Sequence, residues 1–282
     1  MNGLRAALTF LTILPAGAGN GAGSARSLAA APAWFPAVGL LLGAIIAALD
    51  LLFGVAGLRP ASDACDAARA GACGVLSLLA AALLVTALAV LTRALHLDGF
   101  MDTCDALPGG LSRARRLQIL RDSHVGAFAV VGVACLLLIK VSAVAALPAA
   151  SRPAVLLLFP CLSRWAMLLA MEIFPYVRER GAGTPFAGGR GRWALIAGSG
   201  TAAAAGLALA GWWSLALLAL AGAAAWAVAT VARRLIGGMT GDIYGAVNEI
   251  AEVAVLVAAA VIAAGRSDAM RSPVAGWLDG AG

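Results

Sequence analysis

Three aspartates, Asp98, Asp102 and Asp105, form the densest group of chemically capable side chains in the sequence. Their spacing of i, i+4 and i+7 places them on one face of a helix with about 3.6 residues per turn. Unpaired carboxylates on one stripe repel one another, and no basic residue lies between them. Mg²⁺ prefers oxygen ligands and bridges carboxylates to phosphates, so it would remove this repulsion. The spacing predicts a magnesium site, and the alternative is a solvated helix end.

A second group of polar side chains lies near the C-terminus, at Asp242, Asn248, Glu249 and Glu252. Asp242 and Glu249 are seven residues apart, which again places two carboxylates on one helical stripe. Glu252 begins an otherwise apolar segment. Because a carboxylate in lipid is costly, we expect Glu252 to face the interior of a helix bundle.

Basic and hydroxyl side chains near these acids are candidates for phosphate binding and proton transfer. Arg121, Ser123 and Arg178 are the candidates for substrate contact, since the arginine guanidinium matches the geometry of phosphate oxygens. The alternative for the arginines is a role in membrane topology. His96 and His124 are candidate general bases, with helix capping or packing as the alternative.

Two further cations lie inside apolar segments. Arg164 is near the middle of its segment, and an intramembrane charge indicates a functional site by default. The alternative for Arg164 is an ion pair with Glu172 or Glu252. Lys140 is a single off-centre cation, for which snorkelling toward the interface is the expectation.

The composition identifies the elements that must position these residues. Of 282 residues 62% are hydrophobic and 12% charged, against about 25% charged in soluble domains. The mean hydropathy is +0.94. These values exclude a soluble globular enzyme, a disordered protein and a nucleic-acid-binding module. The five cysteines show no metal-ligand spacing and no disulfide framework is expected; Cys65 and Cys73 could pair in an oxidising compartment.

Apolar segments long enough to cross a bilayer, about 20 residues each, indicate seven spans. They are residues 27–49, 70–92, 125–147, 153–174, two spans within 193–232 divided near Gly211, and 251–265. Residues 4–14 are too short to cross, so an interfacial helix is predicted there. We therefore expect an all-α polytopic integral membrane protein with an interfacial N-terminal helix, forming one catalytic domain over residues 1–282.

The distribution of arginine predicts the orientation. Loops at residues 1–26, 98–124, 175–192 and 233–250 carry twelve arginines, and loops at 58–69, 148–152 and 266–282 carry five. The positive-inside rule makes the first group cytoplasmic. The aspartate stripe lies on that same side.

Four stretches resemble the cobalamin synthase family, the adenosylcobinamide-GDP ribazoletransferases. They are the N-terminal residues 7–15, the D-G-x-x-D-x-x-D pattern in 96–105, the R-D-S-H-x-G pattern in 120–128, and residues 241–252. Their order and spacing agree with the family over nearly the whole chain. Two positions depart from the family pattern: Cys104 stands where Ala is usual, and Ala106 stands where Gly is usual.

The resemblance implies a multi-pass enzyme of the bacterial inner membrane with cytoplasmic active-site loops. Such an enzyme joins adenosylcobinamide-GDP to α-ribazole or its 5′-phosphate, and gives adenosylcobalamin or its 5′-phosphate and GMP. It requires Mg²⁺. The expected partners are these substrates and the lipid bilayer, without nucleic acid; whether the chain forms a homo-oligomer is left open.

Combined with the residue pattern, the resemblance assigns expected roles. An alcohol attacks phosphorus while GMP leaves, so positioning and cations carry most of the catalysis. The expected catalytic residues are Asp98, Asp102, Asp105 and His96, where either a carboxylate or His96 takes the hydroxyl proton. The expected metal ligands are Asp98, Asp102 and Asp105, with Asp122 or Asp242 completing the shell. The expected substrate-binding residues are Arg121, Ser123, Arg164, Arg178, Asn248, Glu249 and Glu252.

Two other functions are weighed against this one. A CDP-alcohol phosphatidyltransferase also uses an aspartate-rich motif at a membrane interface, but it usually has Ala-Arg after the first Asp-Gly, where this chain has Phe100-Met101. A transporter tends to show internal repeats and polar sites at the bilayer midplane. Here no repeat is evident, and the acids cluster at one interface.

Overall fold

The computed structural model describes residues 2–15, 24–59, 70–178 and 192–265. Within these ranges the chain forms eleven α-helices and one short 3-10 helix, Ala31–Trp34. The α-helices are α1 (Asn2–Leu11), α2 (Ala25–Ala30), α3 (Phe35–Val55), α4 (Ala70–Leu91), α5 (Leu95–Ala106), α6 (Arg113–Ile119), α7 (Ala127–Ala145), α8 (Arg152–Ile173), α9 (Arg192–Ala210), α10 (Trp213–Ile236) and α11 (Gly241–Gly265). The predicted all-α class is confirmed.

Seven segments of the described chain are long and apolar enough to cross a membrane, as predicted. They are Ala25–Val55, Gly71–Leu91, Ala127–Ala145, Arg152–Ile173, Arg192–Ala210, Trp213–Ile236 and Gly241–Gly265. The long apolar stretch divides where expected, because Gly211 adopts a left-handed φ of 56° between α9 and α10. A helix also forms at the N-terminus, as α1, and its position at the membrane interface stays a prediction.

The start of the last span was predicted wrongly. The sequence places it at residue 251, whereas α11 begins ten residues earlier, at Gly241. Hydropathy stops the span at Asn248 and Glu249 because these side chains are polar. Both are buried in the structure, where neighbouring helices supply their partners.

Helix α8 is the centre of the bundle, since 83% of the residues in its apolar 18-residue stretch are buried. Helix α3 packs against it through Gly39 and Gly43, which lie one turn apart. A Cβ atom on Gly39 would lie 2.3 Å from the Pro160 carbonyl oxygen, and one on Gly43 would lie 2.5 Å from the Leu157 carbonyl oxygen. Small residues at this spacing let two helices approach closely in lipid. The α3–α8 pair therefore depends on the absence of side chains at these two positions.

A polar cluster and a disulfide lie toward the end of the bundle that is predicted to face outward. Asp50 of α3 accepts a hydrogen bond from Arg152 of α8 at 2.8 Å and contacts Arg59 at 3.3 Å. Cys73 is disulfide-bonded, as the pairing left open for Cys65 and Cys73 allowed; Cys65 itself lies outside the described residues. A disulfide is typical of an oxidising compartment.

The α3–α8 contact predicts that Gly43→Ala destabilises the protein by about 1 to 3 kcal/mol, because the added methyl group overpacks against backbone. The measurement is thermal unfolding of the purified protein in detergent. The matched control is Gly74→Ala in α4, where an added Cβ meets nothing within 4 Å. Equal melting temperatures for the two variants would contradict the proposed helix contact.

Candidate active site

The site begins at a close crossing of α5 and α11. Residues Arg93 and Ala94, with φ values of 55° and 52°, turn the chain from α4 into α5. A Cβ on Gly99 would lie 2.7 Å from the Asp242 carbonyl oxygen, and one on Gly245 would lie 2.9 Å from the His96 carbonyl oxygen. The two backbones therefore approach more closely than side chains permit. This crossing brings the N-terminus of α11 against the aspartate stripe of α5.

A cavity of about 140 Å³ opens at this crossing. Its ionisable lining residues are Asp98 and His96 of α5 and Asp242 of α11. The rest of the lining comes from α1, α5, α8 and α11, and consists of Phe10, Leu95, Gly99, Met167, Met171, Gly241, Tyr244 and Gly245. Carboxylates that are distant in sequence thus meet in one pocket, with an apolar wall facing them.

Asp102 shows how crowded the negative charge is. Burial raises the pKa of Asp102 from its ordinary value to about 7, and the neighbouring carboxylates of Asp242, Asp98 and Asp105 act in the same direction. Arg178 partly offsets this effect. Like charges held together disfavour ionisation, and a bound cation would relieve the repulsion.

The donor set suits magnesium in kind but does not form a complete cage. Among the described residues, no group of three His, Cys, Asp or Glu side chains is placed to hold a metal ion. Mg²⁺ usually binds through one or two carboxylates, several waters and substrate phosphates, so a complete protein cage is not needed. One or two of the carboxylates of Asp98, Asp102 and Asp242 fit a metal that is shared with a phosphate group.

Asp105, the third aspartate of the stripe, is engaged with the protein. Its carboxylate accepts hydrogen bonds from the backbone N–H groups of Gly126 at 2.6 Å and Ala129 at 2.9 Å. It therefore caps the first turn of α7, where a negative charge also interacts favourably with the helix dipole. A metal-binding role for Asp105 stays a prediction, since this cap already uses both carboxylate oxygens.

Arg178 joins the site through Asp242. Its Nη2 atom donates to Asp242 Oδ2 at 2.7 Å and to the Leu120 carbonyl oxygen at 2.7 Å. The approach is fixed by backbone pairing, in which Val177 N–H donates to the Met239 carbonyl oxygen at 2.9 Å. The Nε of Arg178 is buried and has no hydrogen-bond partner in the described part of the chain. One donor of this arginine thus remains for a ligand.

The loop that precedes α7 holds four further candidates. Arg121, Asp122, Ser123 and His124 are all exposed. Asp122 Oδ1 and His124 Nδ1 lie 2.5 Å apart, and their hydrogen bond lowers the pKa of Asp122 and raises that of His124. Arg178, which binds Asp242, also binds the Leu120 carbonyl oxygen next to this loop. The metal-binding and substrate-binding roles predicted for these residues remain predictions.

Behind the cavity lies a buried ion cluster. Lys140 of α7 donates to Glu249 and, at 2.6 Å, to Glu252, and Arg164 of α8 also donates to Glu252. Asn248 Nδ2 donates to Glu252 Oε1 at 3.1 Å. Two cations and two carboxylates therefore neutralise each other where three helices meet. The substrate-binding roles predicted for Arg164, Asn248, Glu249 and Glu252 stay predictions, since these four residues already bind one another.

This cluster accounts for the two intramembrane cations. The predicted snorkelling of Lys140 is wrong, because its side chain is 5% exposed and paired. The alternative prediction for Arg164, an ion pair, is confirmed with Glu252. Glu172 lies eight residues after Arg164 on α8, about 12 Å along the helix axis, whereas Glu252 meets Arg164 from a neighbouring helix.

His96 lies between the cavity and the ion cluster. It is 2% exposed and lines the cavity, and neither ring nitrogen has a hydrogen-bond partner among the described residues. Burial, followed by the charge of Arg164, holds the pKa of His96 well below its ordinary value. The ring is therefore neutral at pH 7, with one donor nitrogen and one acceptor nitrogen.

Several residues that build the site were not predicted. Gly99 and Gly245 set the helix crossing, and glycine inside a helix is the only sequence signal for them. Met167 and Met171 read as ordinary core residues. Arg116, which the sequence groups with the other arginines of its loop, is buried and donates to the Ala106 and Gly109 carbonyl oxygens at 2.8 and 2.6 Å, which holds the end of α5.

The ion cluster predicts that Lys140→Met lowers the free energy of unfolding by about 3 to 5 kcal/mol, because it leaves Glu249 without its cation in an apolar interior. Chemical denaturation in detergent measures the change. In the Lys140→Met/Glu249→Gln double variant both charges are gone, so a large part of the loss should be recovered. Additive losses from the two substitutions would show that the pair does not interact.

Comparisons with known proteins agree with this architecture. Residues 3–260 match the family model described as cobalamin-5-phosphate synthase. No solved structure matches the chain.

Curated relatives match over most of both chains. The adenosylcobinamide-GDP ribazoletransferase of Syntrophobacter fumaroxidans is 40% identical over 237 residues, which is 83% of this chain and 88% of that protein. The protein of the same name from Desulforamulus reducens is 34% identical, over 90% of this chain and 94% of the relative. That of Pseudomonas paraeruginosa is 38% identical, over 93% and 98%. The chain belongs to the cobalamin-5-phosphate synthase family.

Proposed function

We propose that this chain joins adenosylcobinamide-GDP to α-ribazole, or to its 5′-phosphate, and so makes adenosylcobalamin, or its 5′-phosphate, and GMP. The observation that carries the proposal is the meeting of Asp98, Asp102 and Asp242 at the α5–α11 crossing. A pocket of oxygen ligands suits a diphosphate with its metal, and the relatives carry the name of this transfer.

The reaction is a substitution at phosphorus. A ribose hydroxyl of α-ribazole attacks the phosphorus atom on the cobinamide side of the diphosphate. The bond from that phosphorus to the bridging oxygen breaks, and GMP leaves with the electron pair. One proton leaves the attacking hydroxyl. Because negative charge is spread over the phosphoryl oxygens throughout, charge neutralisation and alignment lower the barrier.

The described residues divide this work. One or two of the carboxylates of Asp98, Asp102 and Asp242 would hold Mg²⁺, which when bound neutralises charge on the diphosphate. The free Nε of Arg178 would donate to a phosphate oxygen, while its Nη2 keeps Asp242 in place. Asp105 acts mainly by fixing α5 against α7. The hydroxyl proton passes either to His96, which lines the cavity, or to Asp102 of the aspartate stripe.

The site would face the cytoplasm of a bacterial cell whose inner membrane holds the chain. The arginine-rich loops support this orientation, and the disulfide-bonded Cys73 supports an oxidising compartment on the opposite side. Both large substrates then approach from the side on which nucleotides are available.

Neutralising the shared carboxylates tests the metal role. We expect Asp102→Asn and Asp242→Asn each to reduce Mg²⁺-dependent GMP release by about 100- to 1,000-fold, since electrostatic stabilisation is lost at the transferred phosphoryl group. The assay uses purified protein with both substrates, with and without Mg²⁺. Arg115→Ala, an exposed residue hydrogen-bonded to Gln118, is the control. Normal Mg²⁺-dependent turnover in both aspartate variants would exclude this site.

The helix crossing can be tested separately from charge. Gly99→Ala keeps every ligand but forces α5 away from the Asp242 backbone, and a displacement of about 1 Å can reduce turnover about 100-fold. GMP release by folded protein is the measurement. Gly200→Ala in α9, where an added Cβ meets nothing within 4 Å, should retain the activity. Equal rates for these two variants would mean that the crossing does not position the carboxylates.

A further inference from the structure

The lining of the cavity at the α5–α11 crossing combines two chemically different sets of side chains, a polar half and an apolar half. The polar half consists of Asp98, Asp242, His96 and Tyr244. The apolar half includes Met167 and Met171 of α8 and Phe10 of α1. The two methionines are 2% and 4% exposed, so they line the cavity from within the bundle. Methionine adapts its shape and makes favourable contacts with aromatic rings through its sulfur.

His96 points to a ligand with a polar atom near the apolar half. It is 2% exposed, and both of its ring nitrogens lack a partner among the described residues. A buried polar group without a hydrogen bond is costly, so native proteins rarely keep one unless something else completes it. The imidazole always offers at least one N–H donor.

The size of the cavity limits what the apolar half holds. Its volume is about 140 Å³. An apolar cavity of roughly 150 Å³ binds a benzene-sized ring. The cavity is therefore on the scale of a flat aromatic ring and too small for the bulky corrinoid substrate, and the sugar of a bound nucleoside would extend beyond it.

We propose that this cavity is the acceptor subsite, in which the apolar heteroaromatic base of a ribonucleoside lies against Met167, Met171 and Phe10 and accepts a hydrogen bond from His96. In this orientation the sugar hydroxyls face Asp98 and Asp242. One of these hydroxyls then lies beside the phosphorus atom that it attacks. The inference rests on the proposed function, and it names which end of the nucleoside is recognised and by which residues.

The methionine wall is tested by steady-state kinetics of GMP release. We expect Met167→Ala and Met171→Ala each to raise the KM for α-ribazole about 10- to 100-fold, a range typical of removing apolar surface from a substrate pocket. The KM for adenosylcobinamide-GDP should change less than about twofold, because that substrate binds elsewhere.

Leu168→Ala is the matched control on the same helix. Leu168 lies between the two methionines in the sequence and is buried. Its side chain faces Gly198 of α9 and does not line the cavity. The Leu168→Ala substitution should lower the thermal stability of the protein while leaving the KM for α-ribazole unchanged. If the alanine variants at 167 and 171 behave like the Leu168 variant, the acceptor assignment is wrong.

The hydrogen bond to His96 has its own test. The two acceptors compared are the α-ribosides of benzimidazole and of indole, which differ only in the ring nitrogen. Wild-type protein should prefer the benzimidazole riboside by about 10-fold or more in kcat/KM, and His96→Leu should abolish that preference. Loss of a general base would lower the rate for both acceptors and leave the ratio intact. A preference that persists in His96→Leu overturns this contact.

The two proposals fail in different ways. If wild-type protein with Mg²⁺ releases no GMP from adenosylcobinamide-GDP and α-ribazole, the proposed function is wrong. If it releases GMP but the methionine variants keep a normal KM for α-ribazole, the function stands and the acceptor subsite lies elsewhere.

Discussion

The contact between the backbones of α5 and α11 is the constraint on which the rest of the site depends. At Gly99 and Gly245 the two helices meet without intervening side chains. Residues that are about 140 positions apart in the chain therefore share one small space. Because neither helix can move away without opening that space, the geometry of the carboxylates is fixed by main chain. The backbone is stiffer than any set of side-chain rotamers, and such stiffness is what a phosphoryl-transfer site needs.

Electrostatic neutrality in the interior allows α11 to carry carboxylates across the membrane. Glu249 and Glu252 would be expelled from an apolar bundle if Lys140 and Arg164 did not face them. The same ion pairs tie α7 and α8 to α11. Asp105 adds a second attachment of α7, at its first turn. The charged residues thus hold the site helices together in two places, at the ion cluster and at the first turn of α7.

Hydropathy predicted the helices well because a bilayer leaves the backbone few choices, and helices satisfy their own N–H and C=O groups. The aspartate stripe was likewise predictable from local periodicity. The errors have a shared cause. The start of α11 and the burial of Lys140 both depend on partners from other helices, as does the capping contact of Asp105, which the sequence did not indicate. Periodicity within one segment carries no information about those partners, and the glycine crossing and the methionine wall were missed for the same reason.

The ion cluster also bears on permeability. Charged residues in the middle of a membrane protein commonly line a water-filled path through which protons or ions move. Here the space beside Lys140, Arg164, Glu249 and Glu252 is about 20 Å³, which is room for about one water molecule. Within the described part of the chain, this space is too small for a water column past the cluster. A bundle that carries four charged side chains in its interior can therefore remain closed to ions along this path.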